Sequence, residues 1–180
     1  RRANKTIVIL NFGLHHLHLW PARKLFSHTI SSLERNIRSQ LESIYLTLSK
    51  APNKVVMYKM TNAICTDNFL GSYSNALMEW HDSTTHHRDC YAHVQRKLNV
   101  DLIEAEEICE HLTFNNTGVQ TVNSIALKVL TTFPEALVLD DYALTFNRCT
   151  CTAMQDGRHY GPLIPIWWDF VLNILKSCTP

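Results

Sequence analysis

The sequence predicts an α/β fold: a three-layer sandwich with a mainly parallel sheet. Three observations carry this. Residues 6–11 (Thr-Ile-Val-Ile-Leu-Asn) form a continuous apolar, β-branched run of the kind found in strands buried on both faces. A long amphipathic helical pattern follows, then a second apolar run at 54–60, and strand–helix–strand implies a right-handed crossover between parallel strands. After a second clear helix, a short apolar run at 136–139 repeats the pattern.

The first strand ends at Asn11-Phe12-Gly13-Leu14-His15-His16. In an open α/β sheet, ligand groups lie just beyond the carboxyl ends of strands, so Gly13 and His15 occupy a favoured place for chemistry. The helix expected over 21–49 is marked by Leu25, Ile30, Leu33, Ile37, Leu41, Ile44 and Leu48 at threes and fours. Ala51-Pro52-Asn53 breaks it, and the second strand runs into Thr61-Asn62. Residues 61–95 carry no sustained period at first and read as an insertion or an active-site loop, turning helical from about His86. Glu104, Glu106, Glu107 and Glu110 read as a solvated face in a charged, partly helical stretch over 94–112. Residues 117–130 form the second clear helix, ended by Phe133-Pro134. The third strand closes at Asp140-Asp141-Tyr142, and an apolar helix is expected over 164–176.

Length and composition bound the function. The 180 residues fit a single domain, and 46% hydrophobic residues can build a sizeable core. Seventeen Lys and Arg face sixteen Asp and Glu, so no basic surplus points to nucleic acid. No apolar run of about 18 residues exists, and no membrane span is expected. The start leads straight into a strand without a signal-peptide pattern, which reads as one part of a longer protein.

Six cysteines permit up to three bridges. With the sequons at Asn4 and Asn115 they favour the secretory pathway, Golgi lumen or extracellular. Cys149 and Cys151 are too close to bridge each other comfortably. One of them is expected to clip its weakly apolar loop to a distant cysteine, Cys65 being the first choice. His86, Cys90 and His93 would share a helical face at a metal-ligand spacing, but without an obvious fourth ligand. A bridged or buried Cys90 among surface histidines is the preferred reading, and no metal or other cofactor is expected.

The densest chemistry lies in Asp156-Gly157-Arg158-His159-Tyr160-Gly161-Pro162. A carboxylate that accepts a proton from one imidazole nitrogen fixes the tautomer and frees the other nitrogen to act as a base. Gly157 and Gly161 would permit a tight loop.

Asp156-Gly157-Arg158-His159-Tyr160, on a loop before the last helix, resembles the catalytic Asp-x-x-His of SGNH (GDSL-like) hydrolases. Among these, the PC-esterase type looks most similar: the neurexophilin and PC-esterase domain family and the plant trichome-birefringence-like proteins. Asn11-Phe12-Gly13-Leu14-His15 is similar to their Gly-x-His element after a middle strand. The resemblance spans about residues 6–176 in patches, and Asp-Gly-x-His-Tyr is its most specific part. It implies Asp156 as orienter, His159 as base, and Gly13, His15 and Asn62 near the oxyanion or substrate. The substrate it implies is an O-acyl, chiefly O-acetyl, group on a glycan or a similar small ester. The family's Gly-Asp-Ser block and its Gly-x-Asn-Asp element are absent from these 180 residues. The first strand, the nucleophilic Ser and an oxyanion donor would then come from an upstream segment. The competing reading is a non-catalytic binding or interaction protein that kept the hydrolase-like pocket without the nucleophile. A third uses Ser72 or Ser74 as an internal nucleophile, although no strand leads into that segment.

Overall fold

The computed structural model describes residues 6–11, 13–17, 29–48, 50–51, 53–65, 68, 83–152 and 157–177. It is a mixed α/β fold around a small parallel sheet. Strands β1 (Thr6–Leu10), β2 (Lys54–Lys59) and β3 (Leu137–Leu139) lie side by side in the order β1-β2-β3. Thr6 pairs with Lys54, Leu10 with Tyr58, and Lys59 with Leu139. Helices α1 (Ile30–Leu48) and α4 (Asn116–Leu130) pack on each other.

Alternation along β2 divides the core. Val56 and Tyr58 face Leu33, Ile37, Leu41 and Tyr45 of α1 and Val119, Val122, Ala126 and Val129 of α4. Met57 faces the other way, with Leu139 of β3, and meets Val171 and Trp167 of the last helix, α6 (Ile164–Ser177). Helices thus cover both faces of the sheet, as parallel strands require. The second cover is narrower: Ile164, Ile166, Trp168, Phe170 and Leu172 of α6 are exposed by 41–56%.

Between β2 and β3 the charged stretch resolves into α2 (Ser83–Leu98) and α3 (Leu102–His111), which pack together and are joined by the Cys90–Cys109 disulfide. Asp101 caps α3, accepting from Glu104 N, and Asn115 caps α4, accepting from Gly118 N. The Asn115 side chain also donates to Cys109 O and Thr113 Oγ1, so the amide of this sequon is committed to the fold. Asp140 caps the short α5 (Asp141–Thr145) in the same way.

The structure departs from the sequence reading in particular places. Residues 61–65, at the start of the stretch read as an insertion or active-site loop, are all buried. The helix after them begins at Ser83 rather than near His86. Gly157 has φ 59°, the left-handed conformation that glycine favours. Gly161 is not in the left-handed region, and a Cβ there would meet nothing within 4 Å. Cys90 is engaged by Cys109, which removes it as a metal ligand. Asp156, Ser72 and Ser74, with residues 21–28 of the expected first helix, lie outside the described residues.

Candidate functional site

The carboxyl ends of the three strands converge on the buried tail of β2. An extended segment that belongs to no sheet must find other partners for its backbone groups. Two asparagines of α4 supply many of them. Asn123 accepts from Thr61 N at 2.8 Å and donates to Thr61 O at 2.9 Å. Seven residues earlier, Asn116 accepts from Ile64 N at 2.8 Å and donates to Ile64 O at 2.9 Å. Thr145 of α5 accepts from Ala63 N at 2.9 Å. Each pair replaces the hydrogen bonds a neighbouring strand would have made.

This tail holds the glycine–histidine loop. Asn62 Nδ2 donates to Arg158 O at 2.5 Å and to Ala63 O at 3.2 Å. Cys65 N donates to Gly157 O at 2.7 Å. Tyr160, 2% exposed, turns its hydroxyl inward, donating to Ala63 O at 3.1 Å and lying 3.2 Å from Cys65 Sγ. Burial, with Asp141 nearby, pushes the Tyr160 phenol up to about 12, so it stays a neutral anchor. His159 sits between these anchored neighbours and is exposed. The Asp156 half of the motif lies outside the described residues.

Gly13 and His15 are on a 3₁₀ turn, Gly13–His16, directly after β1. Gly13 is buried, and a Cβ there would collide with Thr61 Oγ1; the bare backbone lets the exit of β1 lie against the tail of β2. Asn11 ties the same two ends together, donating to Lys59 O at 2.9 Å and Met60 O at 3.2 Å. His15 is exposed, whereas His16 is buried against α1; burial lowers its pKa although the Gln40 side chain supports the ring. The exposed histidine and His159 therefore both stand at the carboxyl edge of the sheet. Asn62 is buried, with its amide protons directed at backbone carbonyls, so it positions the loop.

Sequence reasoning missed a charged group on the other face. Lys59, the last residue of β2, forms an ion pair with Asp141 Oδ2, and its ammonium lies 4.5 Å from the centre of the Trp167 ring. Asp141 is fully buried and is held by Lys59 through Oδ2. Burial pushes its carboxyl above the ordinary value, against the downward pull of Lys59 and the Trp167 indole. The only signal was Asp141 beyond an apolar strand; Lys59 lies 82 residues away and is placed by strand register.

The expected clip is present: Cys65 is bridged to Cys149, with a Cα–Cα distance of 5.5 Å. Among the described residues, no three His, Cys, Asp or Glu side chains are placed to hold a metal ion, and no helix is long and apolar enough to cross a membrane. Comparison with protein-family models, with curated proteins and with solved structures finds no match.

Proposed function

We propose that this chain is the C-terminal part of an SGNH-type, PC-esterase-like domain that hydrolyses or transfers O-acyl groups, chiefly O-acetyl, of a glycan or similar ester. The observation that carries the reading is the anchoring of the 157–160 loop to the tail of β2 through Asn62 and Cys65. It holds His159, the histidine of the Asp-x-x-His motif, near the edge of a parallel sheet where α/β sites are built. Strand order lends support. The strands run sequentially from β1, and among the described residues β1 pairs only with β2, so a further parallel strand fits at its outer edge. In this reading that strand belongs to an upstream segment and completes an SGNH-like three-layer sandwich. Two disulfides fit a secretory compartment.

In the proposed reaction a Ser hydroxyl from the upstream segment attacks the ester carbonyl while His159 takes its proton. Asp156 holds the imidazole tautomer. His159 then returns the proton to the leaving alcohol, and afterwards deprotonates the water or sugar hydroxyl that releases the acyl group. Gly13 and His15 line the side of the site formed by β1, and Asn62 sets the height of the loop.

The test is turnover of acetyl esters. The 180 residues alone should show little, and a chain extended upstream through an encoded Gly-Asp-Ser should be active. His159→Ala in the extended chain should remove roughly 10³-fold or more of the rate, because triad members act as a unit. Full activity after that substitution would overturn the reading. An upstream sequence with no Gly-Asp-Ser would favour a non-catalytic binding protein.

A further inference from the structure

Cys65 has a second sulfur within its neighbourhood. Cys151 carries a free thiol, is half-buried, and packs against the small apolar cluster of Cys65, Tyr160 and Leu163. It shares a 3₁₀ turn, Cys149–Cys151, with the cysteine that Cys65 is bridged to. That turn is also held without the bridge. Asn68 Nδ2 donates to Cys149 O at 2.8 Å and to Thr152 Oγ1 at 2.5 Å, while Asn68 N donates to Cys65 O at 3.1 Å. Opening the disulfide would therefore leave both turn cysteines against the cluster that holds Cys65, and re-closure would remain intramolecular with a high effective concentration.

We infer that Cys65, Cys149 and Cys151 form a thiol–disulfide exchange set in which Cys65 is bridged alternately to Cys149 and to Cys151. The Cys151 thiolate attacks Cys65 Sγ, a Cys65–Cys151 bond forms, the Cys65–Cys149 bond breaks, and Cys149 leaves as a thiolate that takes up a proton. One disulfide and one thiol are present before and after, so no oxidant is needed. Attack on Cys149 instead would join residues two apart, which disulfide geometry disfavours. Exposure gives the direction: Cys149 is exposed and its thiolate is solvated on leaving, whereas Cys65 is 3% exposed. The exchange bears on the loop, because Cys65 bonds Gly157 O through its backbone and touches the Tyr160 hydroxyl through its sulfur. Changing the partner of Cys65 moves that sulfur and with it the backbone that carries His159. These contacts hold whether or not the chain transfers acyl groups.

The experiment is disulfide mapping of the folded chain, acid-quenched and alkylated without reduction. In a glutathione buffer the wild type should show a second population, about 1–10% of molecules, bridged Cys65–Cys151. Cys149→Ser should form that bridge as its main product under air, while Cys149→Ser with Cys151→Ser should leave Cys65 alkylated. The Cys90–Cys109 bridge reports that each variant has folded. A folded Cys149→Ser with Cys65 and Cys151 both alkylated overturns the inference. If that variant fails to fold, the wild type decides: only Cys65–Cys149 after prolonged exchange overturns it equally.

Discussion

The two faces of the sheet are built differently. On one, α1 and α4 close over Val56 and Tyr58 with a continuous core in which Leu33, Ile37, Leu41, Val119 and Val122 have no exposed surface. On the other, among the described residues, α6 alone covers Met57 and Leu139. The contact is small, an ion pair sits at its edge, and the flanks of α6 are apolar and open. The first face is finished by aliphatic packing, and it also supplies Asn116 and Asn123, which hold the β2 tail. The second carries the charged pair. Rigidity on one side and unfilled apolar surface on the other is the arrangement expected of a sheet with one fully packed layer.

The largest separation between the faces should come from cavities. Leu41→Ala should cost about 3–4 kcal/mol in denaturant unfolding, with the lost packing adding to the lost transfer energy. Val171→Ala should cost about 1–2 kcal/mol, since two methylene equivalents leave a thin contact that can relax. Equal losses would erase the comparison. Next is Asn123→Ala, which strands two buried backbone groups of Thr61 and should cost about 2 kcal/mol or more by the same measurement.

A smaller effect is carried by pH. The folded-state pKa of Asp141 is raised, so its contribution to stability is full below the ordinary carboxylate value and is lost as pH rises through the shifted one. Glu34 on α1, held low by Lys128 and Arg38, has the opposite sign: its contribution is lost as pH falls. Urea midpoints across the acid range should show a decline with rising pH that flattens in Asp141→Asn, and no flattening would assign it elsewhere. The smallest effect is expected at Trp168→Gln, on the open flank of α6, within about ±0.5 kcal/mol.

Helices α1 and α4 were legible because each carries a period that burial enforces, and the strands because each is a short apolar run, although β1, read as buried, has no buried residue. The same regularity hid two things. Asn116 and Asn123 fall seven residues apart, on a helix that is otherwise apolar toward the sheet. Two amides on such a stripe are the signal that a non-sheet segment lies beneath it. Without that signal, 61–65 looked like the start of a loop, since Thr-Asn-Ala-Ile-Cys has no alternation. The Lys59–Asp141 pair depends on which residue of β3 lies opposite Lys59, and composition carries no register. At the site, Gly13, His15 and Asn62 were legible as strand-end residues; that Asn62 reaches back to Arg158, 96 positions along the chain, was not. The clip from Cys65 to Cys149 was legible because a weakly apolar loop needs a covalent hold.

The side of β1 that pairs with no strand among the described residues has a practical consequence. Thr6–Leu10 is an uncharged run of four β-branched residues and a leucine, with Ile9 43% exposed and no proline or lysine within it to deter pairing. An edge of that composition is a template for sheet growth between molecules. Concentrated preparations of these 180 residues should gather into β-rich aggregates, seeded at this strand while the α1–α4 side remains folded. A lysine at Ile9 would act as a gatekeeper and keep the protein dispersed.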